Sequence, residues 1–201
     1  MNSKNLQLIV AGFGGQGVLF TGKLLTYAAM LEGREVTCFP SYGAEIRGGT
    51  ANCTVIISDE MIGSPVVNKP DVLLIMNEAS MERFVPRLKS GGLLIMNSSL
   101  IKNLPKRQDL EVLQINATGM AEELGSSQIA NMIMIGALIA KTGIISVDTV
   151  FNALGDIIPE RKKGIIPVNQ TAIKKGLEEI RIENAVKKPQ TCLPAGRGRR
   201  G

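Results

Sequence analysis

The chain holds 201 residues, 44% hydrophobic but only 3% aromatic and without Trp, which allows one sizeable core built from aliphatic side chains and Met. Its net charge of +5 belongs to the end: Lys187, Lys188, Arg197, Arg199 and Arg200 have no acid among them, and setting these five aside from 23 basic residues leaves 18 against 18 acidic ones. A body so balanced excludes a nucleic-acid surface, and the absence of any His excludes Ser-His-Asp and Cys-His catalysis.

Met1-Asn2-Ser3-Lys4 leads straight into an apolar stretch, so no secretory leader is expected. Leu6–Ala11 reads as a buried strand, and Val18–Glu32 as a helix, with apolar residues at 18, 19, 24, 25, 28 and 31 and a left-handed stop at Gly33. Glu35–Phe39 is a short β-branched second strand, and Thr50–Ser58 a third. Asp71–Met76, Gly92–Met96 and Glu111–Ile115 continue the strands. Glu78–Lys89 reads as a helix that Pro86 bends or ends. After residue 118 the pattern turns helical: Met120–Leu124, Ser127–Lys141, Val147–Leu154 and Val168–Val186, with Pro159 and Pro167 bracketing the basic connector Glu160–Ile166.

Near-continuous apolar strands alternating with helices predict a three-layer, parallel-rich, Rossmann-like α/β fold with helices on both faces and a helical C-terminal part. One domain is expected over 1–186, followed by an unfolded basic tail over 187–201. The longest apolar run, Ile129–Ala140, is interrupted by Asn131 and falls short of the roughly 18–20 residues that span a bilayer, so a buried helix and a cytoplasmic protein are expected.

The chemistry-bearing groups are few. Cys38, Cys53 and Cys192 form no C-x-x-C and, without His, cannot close a zinc or iron–sulfur site. Cys38 and Cys53 read as small buried thiols, and no disulfide is expected in a reducing cytoplasm. Gly12-Phe13-Gly14-Gly15-Gln16-Gly17 joins the first strand to the first helix and matches G-x-G-x-x-G. Such a turn leaves backbone N–H groups bare at a positive helix end, fit for a phosphate, but it equally serves tight strand–helix packing. A dinucleotide site also needs an acid after the second strand, and Thr37-Cys38-Phe39-Pro40 has none.

The loop Ser41-Tyr42-Gly43-Ala44-Glu45-Ile46-Arg47-Gly48-Gly49 leaves the same sheet edge. It either presents the Arg47 guanidinium fork to an anion or partner, or pairs Glu45 with Arg47 locally. Asn131, alone among Ile, Met and Ala, needs a partner: a backbone group, a ligand or a neighbouring subunit. Met120, Met132 and Met134 read as core.

These pieces, in this order, resemble the gamma subunit of the 2-oxoacid:ferredoxin oxidoreductases over residues 6 to 180. The carriers are Gly12–Val18, Pro40–Asn52, Ile62–Val67, and Asn131 with Gly136-Ala137. The family usually has Pro where this chain has Ala44, and a smaller residue or Met at Ile46; Tyr42, Glu45 and Arg47 stand in place.

The resemblance implies a subunit of a complex that oxidatively decarboxylates a 2-oxoacid, most like the 2-oxoglutarate type, with coenzyme A to acyl-CoA, CO2 and reduced ferredoxin. Thiamine diphosphate, Mg and iron–sulfur clusters would reside in the alpha, beta and delta-type partners, and no cofactor on this chain. Gly12, Gly14, Gly15, Gln16 and Gly17 would contact coenzyme A's phosphates. Ser41, Tyr42, Gly43, Glu45, Arg47, Gly48, Gly49 and Asn131 would form an interface or ligand loop. No catalytic residue or metal ligand is expected, and the isolated chain should be colourless, silent and dimeric. The readings of other classes are a free-standing NAD(P) oxidoreductase and a purely structural protein.

Overall fold

A computed structural model describes residues 5–41 and 50–186, with side chains to 182 except that of Thr50. Six strands form one mixed sheet: β1 (Asn5–Phe13), β2 (Glu35–Ser41), β3 (Thr50–Ser58), β4 (Val72–Ile75), β5 (Leu93–Asn97) and β6 (Glu111–Ile115), in the order β2-β3-β1-β4-β5-β6. The helices are α1 (Val18–Leu31), α2 (Glu78–Phe84), α3 (Ala117–Glu123), α4 (Ala130–Thr142), α5 (Val147–Ile157) and α6 (Ile166–Val186).

Three pairings, β1–β4, β4–β5 and β5–β6, are parallel, as the alternation of strands and helices predicts. β3 departs from it. It runs antiparallel to both neighbours and stands between β1 and β2. The strand after α1 therefore never pairs with the strand before it, and no βαβ unit of the dinucleotide-binding kind forms there.

Several predicted bounds shift for local reasons. The helix from Glu78 ends at Phe84 and tightens into a 3-10 turn, Val85–Arg87, because Pro86 has no N–H for the α ladder. The connector between Pro159 and Pro167 winds as a 3-10 helix, Glu160–Ile165, and α6 begins at Ile166. The helix read from Met120 starts three residues earlier, at Ala117.

Two cores flank the sheet. The larger joins one face, through Leu8, Val10, Val55, Leu74 and Ile95, to α1, α3, α4, α5 and α6. The smaller joins the other, through Ile9, Leu73, Ile75 and Leu94, to Met81, Phe84, Val85 and Leu88. α4 is buried from Ala130 to Ile139, so its apolar run is core, and Met132 and Met134 fill it. α6 crosses α4 where two glycines face each other. A Cβ on Gly136 would strike the Ile173 carbonyl, and one on Gly176 the Ile133 carbonyl. Backbones meet there at a distance that only glycine permits. No described helix is long and apolar enough to cross a membrane.

Candidate functional site

The carboxyl ends of β1, β2 and β4 share one sheet edge, where the connections from β1 and β4 diverge to opposite sides, a crevice in which open α/β sheets bind ligands. The glycine turn lies in it. Gly15 (φ 91°) and Gly17 (φ 73°) hold the left-handed conformation, and Gly17 is the residue before α1. A Cβ on Gly17 would run into the Asn131 side chain.

The 4% exposed Asn131 donates from Nδ2 to the Gly17 carbonyl at 3.4 Å and to the buried Thr21 Oγ1 at 3.3 Å. The backbone partner that the sequence left open for it is the Gly17 carbonyl. The Asn131 amide ties α4 to the entry of α1.

Gln16 has a second tie. Its Oε1 accepts from the Phe13 N–H at 2.6 Å and its Nε2 donates to the Met76 carbonyl at 3.3 Å. The side chain therefore bridges β1 and β4 across the crevice and occupies one N–H that the turn could otherwise offer. Gly12 permits this close fold: a Cβ there would lie 2.6 Å from Gln16 Oε1 and 2.8 Å from Met76 Cβ. Gly14 and Gly15 are open to solvent.

The start of α1 has no side-chain cap and no acid in its first turn. Gly17 before the helix and Phe20 and Lys23 within its first turns line a cleft of about 650 Å³ together with Gln128, Asn131, Arg161 and Lys162, so the positive end of the helix dipole lies at its margin. Lys23, Arg161 and Lys162 are exposed, and among the described residues none of them is in an ion pair with an acid. Beside it, Phe13, Gly14, Leu19, Phe20 and Ala51 line an apolar hollow of about 420 Å³. Bare N–H groups, three cations and an apolar shelf suit an anionic ligand with a flat or aliphatic part.

The sequence-level site omitted Arg161 and Lys162. The signal was the basic segment between Pro159 and Pro167, whose destination only the packing of α5 and α6 reveals. Ser41 sits exposed at the end of β2, opposite Asn52. Tyr42, Gly43, Glu45, Arg47, Gly48 and Gly49 lie outside the described residues. Thr50, the described residue that follows them in the chain, pairs with Phe13 of the glycine turn.

Of the two thiols expected to be buried, one is. Cys53 is buried but Cys38 is exposed on the edge strand, and both are free. No cluster of three metal-binding side chains occurs among the described residues.

Comparisons with known proteins agree on one family. The pyruvate ferredoxin/flavodoxin oxidoreductase family matches residues 7–179. The 2-oxoglutarate synthase subunit KorC of Methanothermobacter marburgensis is 38% identical over 181 residues, covering 87% of this chain and 96% of that subunit. The ketoisovalerate oxidoreductase subunit VorA of the same organism is 39% identical over 145 residues, covering 72% of this chain; the chain spans only 30% of that subunit's length. Among solved structures, the 2-oxoglutarate:ferredoxin oxidoreductase of Magnetococcus marinus, with 2-oxoglutarate, coenzyme A and succinyl-CoA bound, superposes with a TM-score of 0.81 at 26% identity, over 90% of this chain and 32% of that one. The chain belongs to the pyruvate ferredoxin/flavodoxin oxidoreductase family, as a member of its gamma-subunit group.

Proposed function

We propose that the chain is the gamma subunit of a cytoplasmic 2-oxoglutarate:ferredoxin oxidoreductase, which converts 2-oxoglutarate and coenzyme A to succinyl-CoA and CO2 while reducing ferredoxin. Its own part is to hold coenzyme A and dock its partners. The observation that carries this reading is the uncapped start of α1 at the margin of a cleft that holds Lys23, Arg161 and Lys162. Coenzyme A brings phosphates for those groups and an adenine for the apolar shelf of Phe13, Leu19 and Phe20. The choice of 2-oxoglutarate rests on the end-to-end likeness to KorC.

The decarboxylation itself belongs to the alpha and beta partners with thiamine diphosphate and Mg, and the electrons leave through iron–sulfur clusters in beta and delta-type partners. This chain supplies none of these groups. Tyr42, Glu45 and Arg47 are assigned to docking alpha, from the family resemblance of the Pro40–Asn52 stretch. A ketoisovalerate substrate is the second reading, favoured by the likeness to VorA. Free-standing NAD(P) chemistry is disfavoured by the interposed β3 and by the lack of an acid at the end of β2.

Co-expression of the tagged chain with its neighbouring genes tests the assembly. Retention of a thiamine-containing subunit is expected, and its absence from the purified material overturns the reading. In the assembled enzyme, the pair Arg161→Ala and Lys162→Ala should raise the apparent KM for coenzyme A with kcat held. An unchanged KM removes the cleft from coenzyme A binding.

A further inference from the structure

Cys38 and Cys53 stand on neighbouring strands, one turn of the pleat apart. Cys38 pairs with Val55 in the register and Cys53 with Pro40, so the two are diagonal neighbours on the face under α1. Their sulfurs nevertheless converge to 3.3 Å.

The surroundings explain why. α1 lies on β3 at Gly22, where a Cβ would collide with the Cys53 sulfur. Cys53 is thus sealed under the helix, fully buried, with its thiol directed toward the sheet edge. Cys38 occupies that edge, on a strand with a single neighbour among the described residues, and is exposed. The pair therefore has one accessible sulfur and one buried sulfur held against it, the arrangement of an attacking thiol and its resolving partner. The acidity follows the same division: hydrogen bonding from the Cys53 thiol, aided by Thr26 and against burial, brings Cys38 down to about 6, while the Cys38 neighbour and burial push Cys53 up.

We propose that Cys38 and Cys53 form a peroxide-responsive dithiol: Cys38 is the site of oxidation, and Cys53 resolves it to an intrachain disulfide that staples the edge strand β2 to β3. The Cys38 thiolate attacks one peroxide oxygen, the O–O bond breaks, and the departing hydroxide takes up the proton that Cys38 had released, leaving as water. Cys38 is now a sulfenic acid. The Cys53 sulfur attacks it, the S–O bond breaks, and the hydroxyl leaves as a second water with the Cys53 proton. Two thiols are oxidised and one hydrogen peroxide is reduced to two waters. Bonding asks the sulfurs to close from 3.3 Å to about 2.05 Å. Among the described residues β2 pairs with β3 alone, so no second ladder opposes that approach. The staple lies near Phe39–Ser41, the end of β2.

The test treats the full chain, carrying Cys192→Ser so that one competing thiol is removed, with one equivalent of hydrogen peroxide. The expected product is a monomer lighter by about 2 Da, with a Cys38–Cys53 linked peptide after digestion and full recovery of both thiols on reduction. In Cys53→Ala the same treatment should stop at sulfenic acid on Cys38, and a second equivalent of peroxide should carry it to sulfinic acid. Three results overturn the proposal: both thiols still free to alkylation, a dimer linked through Cys38, or sulfinic acid on Cys38 while Cys53 is present. Should Cys53→Ala fail to fold, Cys38→Ser replaces it, and Cys53 must then stay unreacted.

Discussion

The two ends of the parallel strands each carry a cleft, and they differ in how charge is handled. At the amino ends, Leu6, Leu93 and Ile144 floor a cleft of about 230 Å³ whose charged walls are paired: Lys89 with Asp71 at 2.5 Å, and Lys141 with Glu111. At the carboxyl ends, Lys23, Arg161 and Lys162 meet no carboxylate among the described residues, and the start of α1 adds its own positive field. A paired cleft is a neutral surface. An unpaired one, beside bare N–H groups, is poised for an anion.

Substitutions can break this contrast. The largest effect is expected from Gly17→Val. It forces a β-branched residue to φ 73° and drives it into Asn131, a loss of about 3 kcal/mol or more by denaturant unfolding. Gly91→Ala, at the opposite end, has the same backbone sign (φ 71°) but open space, and should cost only about 1 kcal/mol. Equal losses would mean that the Asn131 contact contributes nothing.

Next in size is ligand binding. Loss of Arg161 and Lys162 together should raise the apparent KM for coenzyme A about tenfold or more in the assembled enzyme, the scale of one charge-assisted hydrogen bond. Lys89→Ala with Lys141→Ala, at the paired cleft, should leave that KM unmoved. A rise in both would reduce the contrast to net charge.

Smaller effects lie within the paired end. Asp71 also accepts the Gln7 N–H at 2.8 Å, so Asp71→Ala strands a backbone donor and should cost about 1–2 kcal/mol. Lys89→Ala removes only a half-exposed partner and should cost less than about 1 kcal/mol. The smallest signal is a titration. Arg107, in a two-bond fork onto Asp109, holds that carboxyl down to about 2. A lowered folded value stabilises above the ordinary carboxylate range and loses that contribution as pH falls toward 2. An NMR titration should place the Asp109 midpoint near 2 in the native chain and near the ordinary value in Arg107→Ala.

Much of the scaffold was legible because it depends on local pattern. Thr50–Ser58 and Glu111–Ile115 have the predicted bounds, since apolar strand residues end there in turn formers. The buried role of Ile129–Ala140 followed from its length and its lone Asn. The direction of β3 was not legible, because an apolar strand reads the same both ways and only its neighbours decide. Cys38 was misread for a related reason. Its β-branched company suggested a buried strand, whereas β2 became an edge. Arg161 and Lys162 were visible as charge, but no periodicity could reveal that the 3-10 connector after α5 brings them to the cleft that Gly15 and Gly17 line.

The crossing of α4 and α6 has a consequence for synthesis. α4 presents one side to the sheet layer and another to α6, through Gly136 and Gly176. During translation every strand and α4 emerge before α6, so the nascent chain displays an uncovered apolar helix flank until Ala172, Ile173 and Ile180 arrive. In the interval between making α4 and making α6 that flank is open to chaperones and to aggregation, and the glycine contact is the latch that ends it.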